Sequence, residues 1–274
     1  MDTDLSAWSQ INVEEGEEQL VMDLTAQEMD TSEQDFVAGG VLGKHKIYEE
    51  LGADPYIIQC VREGYKLVLD SQPPNSFTKN NKSALREPEF VRSELKKLEQ
   101  LNCIKRTTTR PSIVLPLSLV FSNKWRVCLD CSRGLNPFCA TRRITLADLT
   151  HVSRTVQKGD YMVVNDLTSG YWQVPVHPDD QDKLGFQFED ENGRETFYTW
   201  SVLVLGLKDA VYFFTRLTAP LMATLRKEGF RGQIYIDDVL TTASTPESAL
   251  HWEKRLYQVF QPLYKLFEIP AFYL

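Results

Sequence analysis

The chain predicts an α+β fold in which helices cover one face of an antiparallel sheet. Three observations lead there. From Tyr161 onward, β-rich runs and amphipathic stretches alternate as strand, strand pair, helix, strand pair, helix, an order that suits α+β packing. The runs at 184–188 and 196–202 flank Asn192-Gly193, a hairpin signal. The 274 residues are 42% hydrophobic, enough to bury a sizeable core.

The elements follow in order. Residues 1–43 hold eleven acids, from Asp2 to Asp35, and no Lys or Arg. Such a polar stretch cannot bury enough apolar surface to offset its ordering entropy. It is expected to be a disordered or weakly helical acidic leader, either a solvated tail or a contact for an unidentified protein. Against −8 for the whole chain, −11 in the leader leaves +3 for residues 44–274. That balance permits a nucleic acid in a cation-lined groove without requiring one.

Glu49 to Tyr65 reads as a helix, with Tyr56, Ile57, Cys60 and Val61 on one face. Gly64 and Gln72-Pro73-Pro74-Asn75 then break the chain. A second helix spans about Glu87 to Leu101, with Pro88 in its first turn. Ile113 to Phe121 is apolar extended chain made irregular by Pro111 and Pro116. Trp125 to Leu129 follows as a strand, then a helix over Thr145–Val156 capped by Thr145 with Asp148 three residues on. Tyr161 to Asp166 is a strand, about Leu207 to Glu228 a long helix, Gly232 to Leu240 a strand–turn–strand, and about Pro246 to Phe260 a helix.

No run of 18 apolar residues appears and the acidic N-terminus is unlike a signal peptide. The five cysteines are an odd, sparse set, which suits a reduced intracellular setting, cytoplasmic or nuclear, rather than secretion. Cys128 and Cys131 have metal-like spacing, with Cys139 and His151 downstream, but no matched second pair exists. Buried thiols are the expectation there.

The chemistry concentrates in carboxylates. Asp237-Asp238 lies between apolar β-runs where a hairpin turn is expected; alone, it is an ordinary exposed turn. Asp166 ends another apolar β-run. Two strands that each end in an acid can bring carboxylates to common cations. Phosphoryl transfer by two divalent ions, roughly 3.5–4 Å apart, uses such a set. Hard oxygen ligands suit Mg²⁺, and Mn²⁺ is an acceptable substitute.

Four blocks in a fixed order then resemble reverse transcriptases. Tyr235-Ile236-Asp237-Asp238 is similar to their YxDD box, and Asp166-Leu167-Thr168-Ser169-Gly170-Tyr171-Trp172-Gln173 to their first catalytic block. Leu205-Gly206-Leu207-Lys208-Asp209-Ala210 with Phe214 resembles the intervening block, and Lys124-Trp125-Arg126-Val127-Cys128-Leu129-Asp130 with Leu135-Asn136 the fingers segment. Val61–Tyr65, Asn80-Asn81-Lys82-Ser83-Ala84 and Phe213–Leu217 with Ala219–Leu221 resemble the DIRS-type retroelement lineage.

The resemblance implies a ferredoxin-like palm at about 159–260 and fingers at about 85–158, within a domain spanning 44–274. It implies that Asp166 and Asp237 bridge two Mg²⁺ ions, with Asp238 a weaker ligand and the Leu167 carbonyl a further one. Tyr171 would gate against a 2′-hydroxyl. Lys124 and Arg126 would clamp the triphosphate, and Gln173 and Gly206 would line the nucleotide and template side. Implied partners are an RNA or DNA template with primer and deoxynucleoside triphosphates, with no membrane.

Val204 and Val211 replace the prolines of the intervening block, removing rigid backbone. Residues 261–274 hold no counterpart of the family's thumb and RNase H region, so a fragment of a retroelement polyprotein is expected. Two other functions fit less of the sequence: an inactive or repurposed remnant acting as a binding module, and a different two-metal enzyme such as a cyclase or primase on a similar palm.

Overall fold

A computed structural model describes residues 38–263, apart from residues 122, 123, 147, 148 and 168 and the side chain of Leu149. Most of the expected leader lies outside the described residues. Its last six residues are described. Residues 38–43 form tight turns, Val41 is buried, and Gly39 and Val41 donate backbone hydrogen bonds to the carbonyls of Trp172 and Gln173 at 2.8 and 3.1 Å.

The helix expected over 49–65 is two helices, α1 (His45–Glu50) and α2 (Pro55–Glu63). Gly52 at φ +68 ends the first, a backbone state that suits glycine. Asp54 starts the second by accepting from the Tyr56 N–H. After a short strand β1 (Ser76–Phe77) come α3 (Lys82–Arg86) and α4 (Pro88–Gln100). The extended run splits at Pro116 into β3 (Ile113–Val114) and β4 (Leu117–Phe121), preceded by β2 (Ile104–Thr107) and followed by β5 (Trp125–Leu129). The next helix is α5 (Leu149–Thr155); Thr145 lies in irregular chain before it, and Asp148 falls outside the described residues.

The remaining elements are β6 (Tyr161–Asp166), a 3₁₀ turn (Gly170–Gln173), α6 (Pro178–Gln181), β7 (Gly185–Glu189), β8 (Glu195–Trp200), α7 (Ala210–Lys227), β9 (Arg231–Tyr235), β10 (Asp238–Ala243) and α8 (Pro246–Phe260). They make a mixed α+β protein with three sheets rather than one. The first has the order β1-β3-β7-β8-β2, the second β6-β10-β9, and β4-β5 form a separate ribbon. The expectation of a single antiparallel sheet fails in the first of these. There β1-β3 and β3-β7 pair in parallel, and strands from both sides of residue 158 share the sheet.

The three-stranded sheet carries the acids. Its register pairs Asn165 with Val239 and Val163 with Thr241, so these four share one face. Helix α8 covers that face: Val163 and Ala243 pack with Ala249 and Trp252, and Asn165 donates to Glu253 at 2.6 Å. The opposite face presents Asp166 and Asp238, a register pair. Gln233 and Arg231 lie on this second face and donate to Thr155 at the end of α5. Helices therefore touch both faces, not one. Phe186, Phe213 and Phe214 anchor a continuous core that joins the five-stranded sheet to α7.

Candidate active site

The β9–β10 connection is a two-residue hairpin loop, Ile236-Asp237, closed by the pair Tyr235–Asp238. Ile236 adopts φ +59 while Asp237 does not have positive φ. Positive φ at only the first loop residue matches a II′ turn, which ordinarily takes glycine there. A β-branched residue in that conformation is strained, and such strain gathers at functional sites. Its effect is to start β10 at Asp238 immediately after Asp237 leaves the turn. The Leu167 N–H then donates to the Asp237 carbonyl at 2.8 Å, tying the turn to the end of β6.

This arrangement brings the three acids together. One carboxylate oxygen from each of Asp166, Asp237 and Asp238 lies within 4.8 Å of the others. Among the described residues, no other three Asp, Glu, His or Cys side chains converge in this way. Burial raises the Asp237 carboxyl above the ordinary carboxylate value, and the Asp238 charge adds to that rise while Arg126 opposes it. A cation would relieve the repulsion and suit the all-oxygen donor set. The Leu167 carbonyl already accepts from the Gly170 N–H at 2.9 Å, leaving one lone pair for a further partner.

Tyr171 is buried and stacks on Phe214, with ring centroids 4.8 Å apart and planes 18° from parallel. Its phenol is raised above its ordinary value, first by burial and then by the charge of Asp237. A Cβ at Gly170 would meet the Phe214 ring at 2.6 Å, so this glycine keeps the stack in place. Lys124 and Arg126 are exposed on the β4–β5 ribbon.

Gln173 is fully buried, and neither of its amide atoms has a hydrogen-bond partner. Its backbone carbonyl accepts from the Val41 N–H at 3.1 Å. A Cβ at Gly206 would come within 2.0 Å of the Leu129 carbonyl oxygen, so protein backbone alone already calls for glycine there. Asn136 completes that junction by donating to the Gly206 carbonyl at 2.9 Å.

Residues 118–266 match the family described as "Reverse transcriptase (RNA-dependent DNA polymerase)", more than half of the chain. The chain belongs to the reverse transcriptase family. It is 31% identical over 104 residues to the genome polyprotein of Petunia vein clearing virus (isolate Shepherd), a match covering 38% of the chain and 4% of the polyprotein. Similarity to the Pro-Pol polyprotein of Simian foamy virus type 1 is 26% over 165 residues, 59% of the chain and 13% of that protein. The Gag-Pol polyprotein of Walleye dermal sarcoma virus is 28% identical over 142 residues, covering 50% and 8%. The chain thus spans only a small part of the length of these curated relatives.

Three parts of this reverse transcriptase's site lay outside the sequence reading. The hairpin turn itself was expected, but no glycine or asparagine announces the left-handed backbone at Ile236. The packed segment at Gly39–Val41 follows an acidic run that masks it. The Asn165–Glu253 pair joins residues 88 apart, and no local pattern reports such a contact. Of the cysteines expected to be buried thiols, Cys131 and Cys139 are buried, whereas Cys128 is only half-buried. Burial lifts Cys139 to about 11, unsuited to a thiolate ligand near neutral pH.

Proposed function

We propose that this domain is an RNA-directed DNA polymerase that joins a deoxynucleotide to a primer 3′-hydroxyl. The convergence of Asp166, Asp237 and Asp238 within 4.8 Å carries the reading. The β6-β10-β9 sheet serves as the palm and the β4–β5 ribbon as part of the fingers. The primer-template and the nucleoside triphosphate are its substrates. The Asn80–Ala84 and Val61–Tyr65 runs favour the DIRS-type lineage.

Asp166 and Asp237 would hold two divalent cations, Mg²⁺ by preference, with Asp238 and the Leu167 carbonyl as weaker ligands. Bound there, the ions supply positive charge to the attacking hydroxyl and the leaving pyrophosphate. Tyr171, braced by Phe214, presents a rigid wall beside the acids that leaves no room for a 2′-hydroxyl. Lys124 and Arg126 neutralise triphosphate charge from the ribbon, Arg126 through a forked donor. Gln173 supports this floor from below, and Gly206 sets the distance between the ribbon and the loop before α7.

Primer extension tests the proposal, with full-length chain, an RNA template and Mg²⁺. The wild type should add complementary deoxynucleotides, Asp237→Asn should lose about 100-fold or more in rate, and Tyr171→Ala should accept ribonucleotides more readily. A chain that binds primer-template equally well with and without Asp237→Asn, yet extends neither, would be a binding module instead.

A further inference from the structure

The Asn80-Asn81-Lys82-Ser83 run has no part in the chemistry above, yet three of its side chains converge on one strand. The Asn80 Oδ1 accepts from the Leu117 N–H at 2.9 Å, while its Nδ2 donates to the Gln187 carbonyl at 2.7 Å. The Asn81 Nδ2 donates to the Ser118 Oγ at 2.7 Å and to Asp130 at 3.0 Å. The Ser83 Oγ accepts from the Leu119 N–H at 3.0 Å. The backbone joins in, with the Asn81 N–H donating to the Leu117 carbonyl at 3.0 Å.

These bonds fall where β4 would otherwise show an open edge. Its inner edge pairs with β5; its outer edge meets side chains instead of a third strand. Asn81 precedes α3 at the N-cap position but makes no cap hydrogen bond. Its amide is committed to the ribbon at the expense of the helix it starts, although a capping asparagine ordinarily serves that helix. Asn80 extends the clasp to β7 of the five-stranded sheet. The grip ends at Leu119. Beyond it Val120, Phe121 and Trp125 are 48%, 60% and 47% exposed, and Lys124 and Arg126 are exposed as well. A two-stranded ribbon is marginally stable by itself, so the direction of its tip is set where its base is held.

We propose that Asn80, Asn81 and Ser83 are positioning residues that aim the β4–β5 arm, and with it Lys124 and Arg126, at the incoming nucleotide. This rests on the polymerase reading above. Losing the clasp frees the arm at its base, while the three aspartates stay held by the pairing of β6, β10 and β9 with one another. The cost should fall on nucleotide capture rather than on the chemical step.

The test is single-nucleotide incorporation by the full chain with Mg²⁺ and a primer-template, comparing wild type, the double variant Asn81→Ala/Ser83→Ala, and Ser83→Thr, which keeps the hydroxyl. The double variant, which removes three hydrogen bonds, should raise KM for the triphosphate about tenfold or more. Its kcat should stay within about twofold, and Ser83→Thr, which keeps the acceptor for the Leu119 N–H, should hold KM near the wild-type value. Hydrogen exchange on the same proteins should show faster exchange in the arm and unchanged protection in β6 and β10. An unchanged KM with both groups removed overturns the proposal. So does a fall in kcat with protection lost throughout, because that marks a merely structural role. Should the double variant not fold, Ser83→Ala alone is read in the same way, with a smaller rise. If the wild type extends no primer, the polymerase reading fails. Hydrogen exchange then decides the clasp by itself: selective loosening of the arm supports it, and uniform or absent change refutes it.

Discussion

Asp237 is half-buried beside Asp238, and both circumstances disfavour its charged form. Its folded pKa is raised above the unfolded value. The stability linked to this group is therefore fully present below the ordinary carboxylate value near 4 and is lost as pH rises through the folded one. Without divalent ions, Asp237→Asn should stabilise the fold at pH 7, by at most about 1 kcal/mol once solvent screening is allowed for. That gain should vanish in acid, as thermal unfolding at several pH values would show. The same substitution removes activity, a trade expected where function keeps strained or repelling groups. Gly206→Ala should act in the opposite sense. Its new Cβ meets the Leu129 carbonyl, a backbone atom that cannot swing aside, so denaturant unfolding should report a loss of about 3 kcal/mol. At this scale the identities of the acids were legible in the sequence, because two β-runs each end in aspartate. The left-handed Ile236 was not: residue preference argues against it, and only the tertiary tie from Leu167 to Asp237 accounts for it.

Among the elements, α8 and β6 are joined by the buried Asn165–Glu253 pair, directly behind the strand that ends in Asp166. Burial holds the Glu253 carboxyl above its ordinary value. Its contribution to stability is complete below about pH 4.3 and declines as pH rises through the elevated folded value. Glu253→Gln keeps an oxygen to accept from Asn165 without the charge, so its stability should vary less with pH over that window. Glu253→Leu leaves the Asn165 amide buried without its acceptor and should cost about 1–3 kcal/mol. Urea titrations across the pH range would separate the two. Element type was largely readable: Trp125–Leu129, Tyr161–Asp166 and the helix from Pro246 to Phe260 appear where periodicity and caps put them. Their grouping was not. β7 and β8 join β2 and β3 in a sheet apart from the acids, and pairing across 70 or more residues leaves no local trace. The helix over 49–65 divides because Gly52 takes a backbone state that its apolar face does not reveal.

Across the whole molecule, the N-terminal segment at 38–43, Ala-Gly-Gly-Val-Leu-Gly, packs onto the domain although it directly follows the acidic run. Val41 is 1% exposed, and the bonds from Gly39 and Val41 brace the backbone of Trp172 and Gln173, next along the chain from Tyr171. Deleting residues 1–37 should leave the unfolding midpoint nearly unchanged. Deleting 1–43 removes a buried valine worth about 1.5–3 kcal/mol and should lower the midpoint by about 5 °C or more. Equal midpoints for the two truncations would show that the segment braces nothing. The average charge concealed the site in a similar way: the leader's acids dominate −8, while the part that holds the carboxylate cluster is mildly positive.

The claim that Asp166, Asp237 and Asp238 form one divalent-cation site can be measured without turnover, by titrating the full chain with Mn²⁺ and following free ion by electron paramagnetic resonance. Wild type should take up Mn²⁺, Mg²⁺ should compete for the same site, and Asp166→Asn and Asp237→Asn should each lose most of the binding. Uptake undiminished in both variants would contradict the site.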